Sequence, residues 1–166
     1  MTARSRRTAL AAMAAAFLAT VGARAAVLKD TDALRGLTRA KAVFLIDVNN
    51  PQKVGHVLAV VKKTDTGMRS QGVTPAIVVV FVGPDVAFLT RDRRGISYMD
   101  ERAVAGIQKE IVGLHGMGVR FQACGVALKG MDVSPTDVIP AVQPVGNGYI
   151  SVIGYQTKGY SLVPVY

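Results

Sequence analysis

The stretch Ala42-Val43-Phe44-Leu45-Ile46-Asp47-Val48-Asn49-Asn50-Pro51 decides the fold. Its first part is an unbroken apolar run, the pattern of a strand buried on both faces rather than one face alternating with water. Asn50 is a good helix N-cap, and Pro51 is tolerated at the first helical position because it lacks only an N–H that would be unpaired anyway. Val54, Val57, Leu58 and Val61 then recur at helical spacing, so a buried strand feeds an amphipathic helix. That unit repeats outward. Gly72 and Pro75 break the helix before a second strand over Ala76 to Val82, rich in β-branched residues. Gly83-Pro84-Asp85 turns into a short apolar piece, Val86 to Leu89, followed by the charged loop Arg91-Asp92-Arg93-Arg94-Gly95.

A second long helix is expected from about Tyr98 to Leu114, with Val104, Ile107, Ile111 and Leu114 inward, Ser97 as its cap and Gly116 as its left-handed end. Val119 to Ala123 reads as a third strand, with a short helix beginning at or just after Cys124. Ser134-Pro135-Thr136-Asp137 is a helix start or a turn before a weak strand near Val142 to Val145. A helical stretch over Tyr149 to Gln156 and a closing strand over Tyr160 to Val165 complete the chain, and Pro164 places that strand at an edge. Alternating strands and helices predict an α/β fold, one three-layer domain with a mostly parallel sheet covered on both faces. The 166 residues suit one such domain, with half of them hydrophobic.

The N-terminus reads differently. Arg4-Ser5-Arg6-Arg7 is a basic region ahead of an apolar run from Ala9 to about Ala23, and Ala23-Arg24-Ala25 supplies a small-x-small cleavage pattern. A run of roughly fifteen residues suits a signal peptide and is short for a membrane span of about twenty. Residues 1–25 are therefore expected to be a signal peptide cleaved after about Ala25. The domain 26–166 would then be periplasmic, without a stable membrane anchor. Ser5-Arg6-Arg7 with Leu10 resembles a twin-arginine signal, although Ala9 departs from it, and both export routes stay open. Arg4, Arg6, Arg7 and Arg24 also supply four of the nine net positive charges. The remainder is modest, Trp is absent, and no basic stripe alternates with aromatics, so nucleic acid is not an expected partner.

Cys124 is the one cysteine of the chain. An exported domain of this size does not need disulfides, so a lone thiol there is either buried and inert or exposed for a reason. Two histidines and one cysteine, widely spaced, make no metal site, and the glycines form neither a dinucleotide fingerprint nor a phosphate loop; no metal and no cofactor is expected. His56 lies off the apolar stripe of its helix. His115 sits at a helix C-terminus, where a cation is favoured without any catalytic role.

The run Gly118-Val119-Arg120-Phe121-Gln122-Ala123-Cys124-Gly125-Val126-Ala127-Leu128 resembles the cysteine segment of DsrE/DsrF-like proteins, in which a strand delivers a cysteine to the start of a helix. Gly83-Pro84, Gly148-Tyr149, Tyr155-Gln156 and Lys158-Gly159-Tyr160 resemble the exported branch of that family, and the similarity spans roughly Ala42 to the C-terminus. Val126 departs, standing where relatives often carry a polar residue. The resemblance implies about five mostly parallel strands and a homo-oligomer, often a trimer or hexamer. It also implies sulfur relay through a cysteine persulfide, with a donor or acceptor protein or small thiol as partner. Cys124 would then be the sulfur acceptor of a carrier or sulfurtransferase. From position alone, Arg120, alternating with Cys124 along the strand, and Lys129, one turn into the helix, are each candidates to add positive potential. Asp47, at the ligand edge, either orients a polar group or serves a structural role near Asn49 and Asn50. The alternative is a non-catalytic oligomeric binding or assembly module with a structural cysteine.

Overall fold

The computed structural model describes residues 28–166; the expected signal peptide lies outside them. Five strands form one parallel sheet: β1 (Arg39–Ile46), β2 (Thr74–Phe81), β3 (Arg120–Cys124), β4 (Val142–Val145) and β5 (Ser161–Val165), in the order β4-β3-β2-β1-β5. The α/β expectation therefore holds, and β5 with Pro164 is indeed an edge strand. The helices are α1 (Thr31–Leu34), α2 (Pro51–Ser70), α3 (Glu101–Gly116), α4 (Gly125–Gly130) and α5 (Gly148–Thr157).

Side chains alternate across the sheet, and the apolar runs of β1 and β2 supply two cores. Phe44, Ile46, Ile77, Val79, Phe81 and Phe121 face α2, α3 and α4, meeting Leu58, Ile107, Ile111 and Leu128. Val43, Leu45, Val78, Val80 and Val82 face the other way, toward Cys124 and Val152 of α5. One helix thus covers the second face, while three share the first.

Local chemistry accounts for most element boundaries. The Asn50 side chain accepts from the Lys53 N–H at 2.8 Å and Pro51 opens α2, as the sequence predicts. The start of α3 differs. Ser97 Oγ accepts from Met99 N–H within a preceding turn, and the helix begins at Glu101 without a side-chain cap. Its end differs too: Met117 stays right-handed, and Gly118, at φ 99°, is the residue that needs glycine's freedom. The segment after β2 forms a 3-10 turn over Pro84–Leu89. It is tied to the approach to β4 by a Thr90–Val138 bridge and by Ile139 N–H donating to Leu89 C=O at 2.9 Å.

Candidate functional site

Cys124 is the last residue of β3 and the N-cap residue of α4, with extended φ/ψ of −68° and 119°. In an open parallel sheet, ligands gather where neighbouring strands send their following helices to opposite faces. β3 and β4 do this here: α4 lies on the face of α2 and α3, and α5 crosses to the other. Cys124 stands at that division, paired in register with Val145.

Its thiol is enclosed. Cys124 is 2 % exposed, and Sγ accepts a hydrogen bond from the backbone N–H of Gly148 at 3.2 Å. Gly148 is the first residue of α5, so one of the unpaired N–H groups of a helix start points at the sulfur. Two close approaches shape this arrangement. A Cβ on Gly148 would lie 2.7 Å from Val82 Cγ1 and 3.0 Å from Cys124 Cβ, and a Cβ on Gly125 would lie 2.7 Å from the Val145 carbonyl oxygen. The absence of side chains at both positions lets the β4–α5 connection settle onto the end of β3. Glycine at each was visible in the sequence, but its contact across the sheet was not.

The other expected site residues are dispersed. Arg120 shares the face of Cys124 but opens β3, four residues away and so about 13 Å along the strand. Its guanidinium donates to Tyr160 Oη at 2.7 Å and lies 5.3 Å from the Tyr155 ring centroid. Any positive potential it adds at the thiol acts from that length of strand rather than by contact. Lys129 lies in the last turn of α4, exposed, along a cleft with Arg94, Gly125 and Ser134.

Asp47 does lie at the carboxyl edge, beyond the end of β1, folded so closely over Gly83 that a Cβ there would overlap its carboxylate. Beside it is a residue the sequence reading passed over. Asp85 is completely buried, its carboxylate accepting from Val48 N–H at 3.3 Å and Gly83 N–H at 3.2 Å. Burial pushes its pKa up to about 7, the N–H bonds opposing that shift and the nearby Asp47 charge adding to it. The sequence signal was Gly83-Pro84-Asp85, read as a turn. The carboxyl group in fact stitches the turn after β2 to the end of β1.

His56 and His115 are exposed on α2 and α3. No cluster of metal-ligating side chains exists among the described residues, and no described helix is long and apolar enough to cross a membrane.

No family model matches the chain. A curated relative, an uncharacterized protein of Aquifex aeolicus (strain VF5), is 26% identical over 125 residues, 75% of this chain. The chain spans about half (55%) of that relative's length. Among solved structures, a protein of unknown function from Methanobacterium thermoautotrophicum superposes with a TM-score of 0.60 at 24% identity, covering 76% of this chain and 99% of the other. The chain is thus similar in fold to a single-domain protein of comparable size.

Proposed function

We propose that the protein is an exported sulfur carrier or sulfurtransferase that holds sulfane sulfur as a persulfide on Cys124. The observation that carries this reading is the Gly148 N–H donating to Cys124 Sγ at 3.2 Å, at the carboxyl edge where β3 and β4 diverge. Helix-start N–H groups favour negative charge, and sulfur transfer runs through anionic sulfur. In the step itself, Cys124 thiolate attacks the terminal sulfur of a small persulfide donor. An S–S bond forms to Cys124 as the donor's S–S bond breaks, and the donor departs as its thiolate. A second thiol then takes the sulfur by the same exchange and regenerates Cys124. With one cysteine in the chain, no internal disulfide can compete. Because Sγ is enclosed, transfer requires the Gly146-Asn147-Gly148 connection to move aside. Intact mass after incubation with polysulfide tests the reading. A gain of about 32 Da per sulfur, absent in Cys124→Ser, is expected; no gain, or an equal gain in the variant, overturns it.

A second reading rests on the 2 % exposure of Cys124 and on α5, which leaves Tyr149, Ile150 and Ile153 exposed beyond the face it packs on the sheet. A helix apolar on more than one side is usually covered. Here the protein is an oligomeric assembly module and the thiol is packing. Sedimentation separates the readings: Ile150→Asp/Ile153→Asp is expected to release folded monomers from an assembled wild type, whereas a monomeric wild type at micromolar concentration removes this reading.

A further inference from the structure

α5 packs Val152 and Tyr155 onto the second face of the sheet, yet it turns Tyr149, Ile150 and Ile153 outward, each more than half exposed. A helix apolar on both sides is usually covered on both. Beside it, edge strand β5 sends Val163 and Val165 toward the first face, so Leu162 and Pro164 point the other way and stay exposed. We propose that this surface docks on an anionic phospholipid bilayer, reversibly and without spanning it.

The charge on this face selects lipid. Neither α5 nor any of the five strands contains Asp or Glu, and Asp137 is the last acidic residue of the chain. Cations collect instead at the C-terminal end of α5. Lys158 is the C-cap residue, and Lys41 Nζ donates to its carbonyl oxygen at 3.0 Å. Lys41 and Arg120 flank the Tyr160 ring, 5.6 and 6.0 Å from its centroid. Arg39 alternates with Lys41 along β1 and so shares the face. All four are exposed, and none forms an ion pair among the described residues. Asp47 lies past the carboxyl end of β1, away from these cations. An apolar patch edged by free cations suits the boundary between acyl chains and phosphates, where tyrosine is also at home. A two-fold pairing of α5 with a second copy would bury the same apolar residues, but it would bring cations toward cations with no carboxylate on the face to offset them. Docking of this kind is independent of whether Cys124 carries sulfur, and it competes with self-assembly for the same helix face.

The chain contains no tryptophan, so Tyr149→Trp places a single reporter indole on this surface. In the full chain its emission is expected to shift to the blue, with less quenching by acrylamide, as vesicles of mixed phosphatidylglycerol and phosphatidylcholine are added. The shift should saturate, weaken at high salt and be absent with phosphatidylcholine alone. Vesicles held only by the apolar N-terminal segment would leave the indole in water. Ile150→Asp/Ile153→Asp in the reporter background is expected to abolish the shift. Lys158→Ala, which removes an exposed side chain, is expected to fold as wild type and to weaken binding about fivefold. Sedimentation with the vesicles without the shift, or an equal shift on phosphatidylcholine alone, overturns the proposal. A shift that grows with protein concentration in the absence of lipid overturns it too, by making a second copy the occupant.

Discussion

The backbone N–H of Gly148 reaches across the top of the sheet to Cys124 Sγ, 3.2 Å away, and so fastens the start of α5 to the end of β3. These residues are 24 positions apart in sequence. The contact exists because neither Gly148 nor Gly125 has a side chain to hold the two segments apart.

Gly148→Ala measures how tight that junction is. The new methyl group would meet Val82 Cγ1 at 2.7 Å, Cys124 Cβ at 3.0 Å and Val80 Cγ1 at 3.1 Å, all on buried, packed side chains with little room to yield. Overpacking of this kind costs about 1–3 kcal/mol. Urea denaturation of the variant is expected to show that loss at unchanged m-value. A variant as stable as wild type would mean that α5 is free to lift from the sheet.

The same junction governs the reactivity of the thiol. With Cys124 2 % exposed, a bulky aromatic disulfide reagent is expected to label the native protein at least about a hundredfold more slowly than the urea-unfolded chain. Gly148→Ala is expected to speed native labelling, because it loosens the lid more than the rest of the domain. If local opening admits reagents, labelling should outrun global unfolding measured under the same conditions. Labelling locked to global unfolding would favour the assembly reading.

The fold was legible because β1 and β2 are continuous apolar runs, and such runs have few homes outside the middle of a parallel sheet. Asn50-Pro51 carries its meaning locally, so the start of α2 was legible as well. The start and end of α3 were not: Ser97 and Gly116 both satisfy the local rules, and only the path of the loop after β2 decides that Glu101 begins the helix and Gly118 ends the turn. The site was legible in part for the same reason. Cys124 could be placed at a strand end from its own neighbours, whereas Gly148 over its sulfur is a contact across the sheet. Arg120 shows the limit of strand periodicity. Period two gives it the same face as Cys124 but does not bring it near, and its actual partners, Tyr155 and Tyr160, come from the far end of the chain.

The core on the first face allows a direct check on packing. Leu58 of α2 and Ile107 of α3 are at most 1 % exposed and belong to one cluster with the Phe44 and Phe81 side chains. Truncation of either to Ala is expected to cost about 2–5 kcal/mol, the loss of transfer free energy plus the cavity left behind. Chemical denaturation of each variant measures this. A cost below about 1 kcal/mol would show that the helix layer repacks freely, which the continuous core argues against.

Asp85 makes stability depend on pH in the direction opposite to an ion-paired carboxylate. Its pKa rises from the ordinary carboxylate range to about 7 in the folded protein, because burial penalises the charged form more than the Val48 and Gly83 N–H groups favour it. A group whose folded pKa is the higher one binds its proton more tightly when folded. Its favourable contribution is therefore fully present below about pH 4, declines as pH rises toward 7, and is gone above that. The full span corresponds to about 4 kcal/mol for a shift of this size. Asp85→Asn cannot ionise. The difference in unfolding free energy between the variant and wild type is thus expected to move in the variant's favour from pH 4 to pH 7 and to level off beyond it. The amide's NH2 end cannot accept, so the variant loses one of the two backbone N–H bonds that the ionised carboxylate accepts. This cost of about 1 kcal/mol falls mainly above pH 7, where wild type is ionised, and trims the change without reversing its sign. Parallel urea titrations at pH 4, 5.5, 7 and 8 read the slope directly. A difference independent of pH would mean that Asp85 ionises in its usual range and that the turn after β2 is open enough to hydrate it.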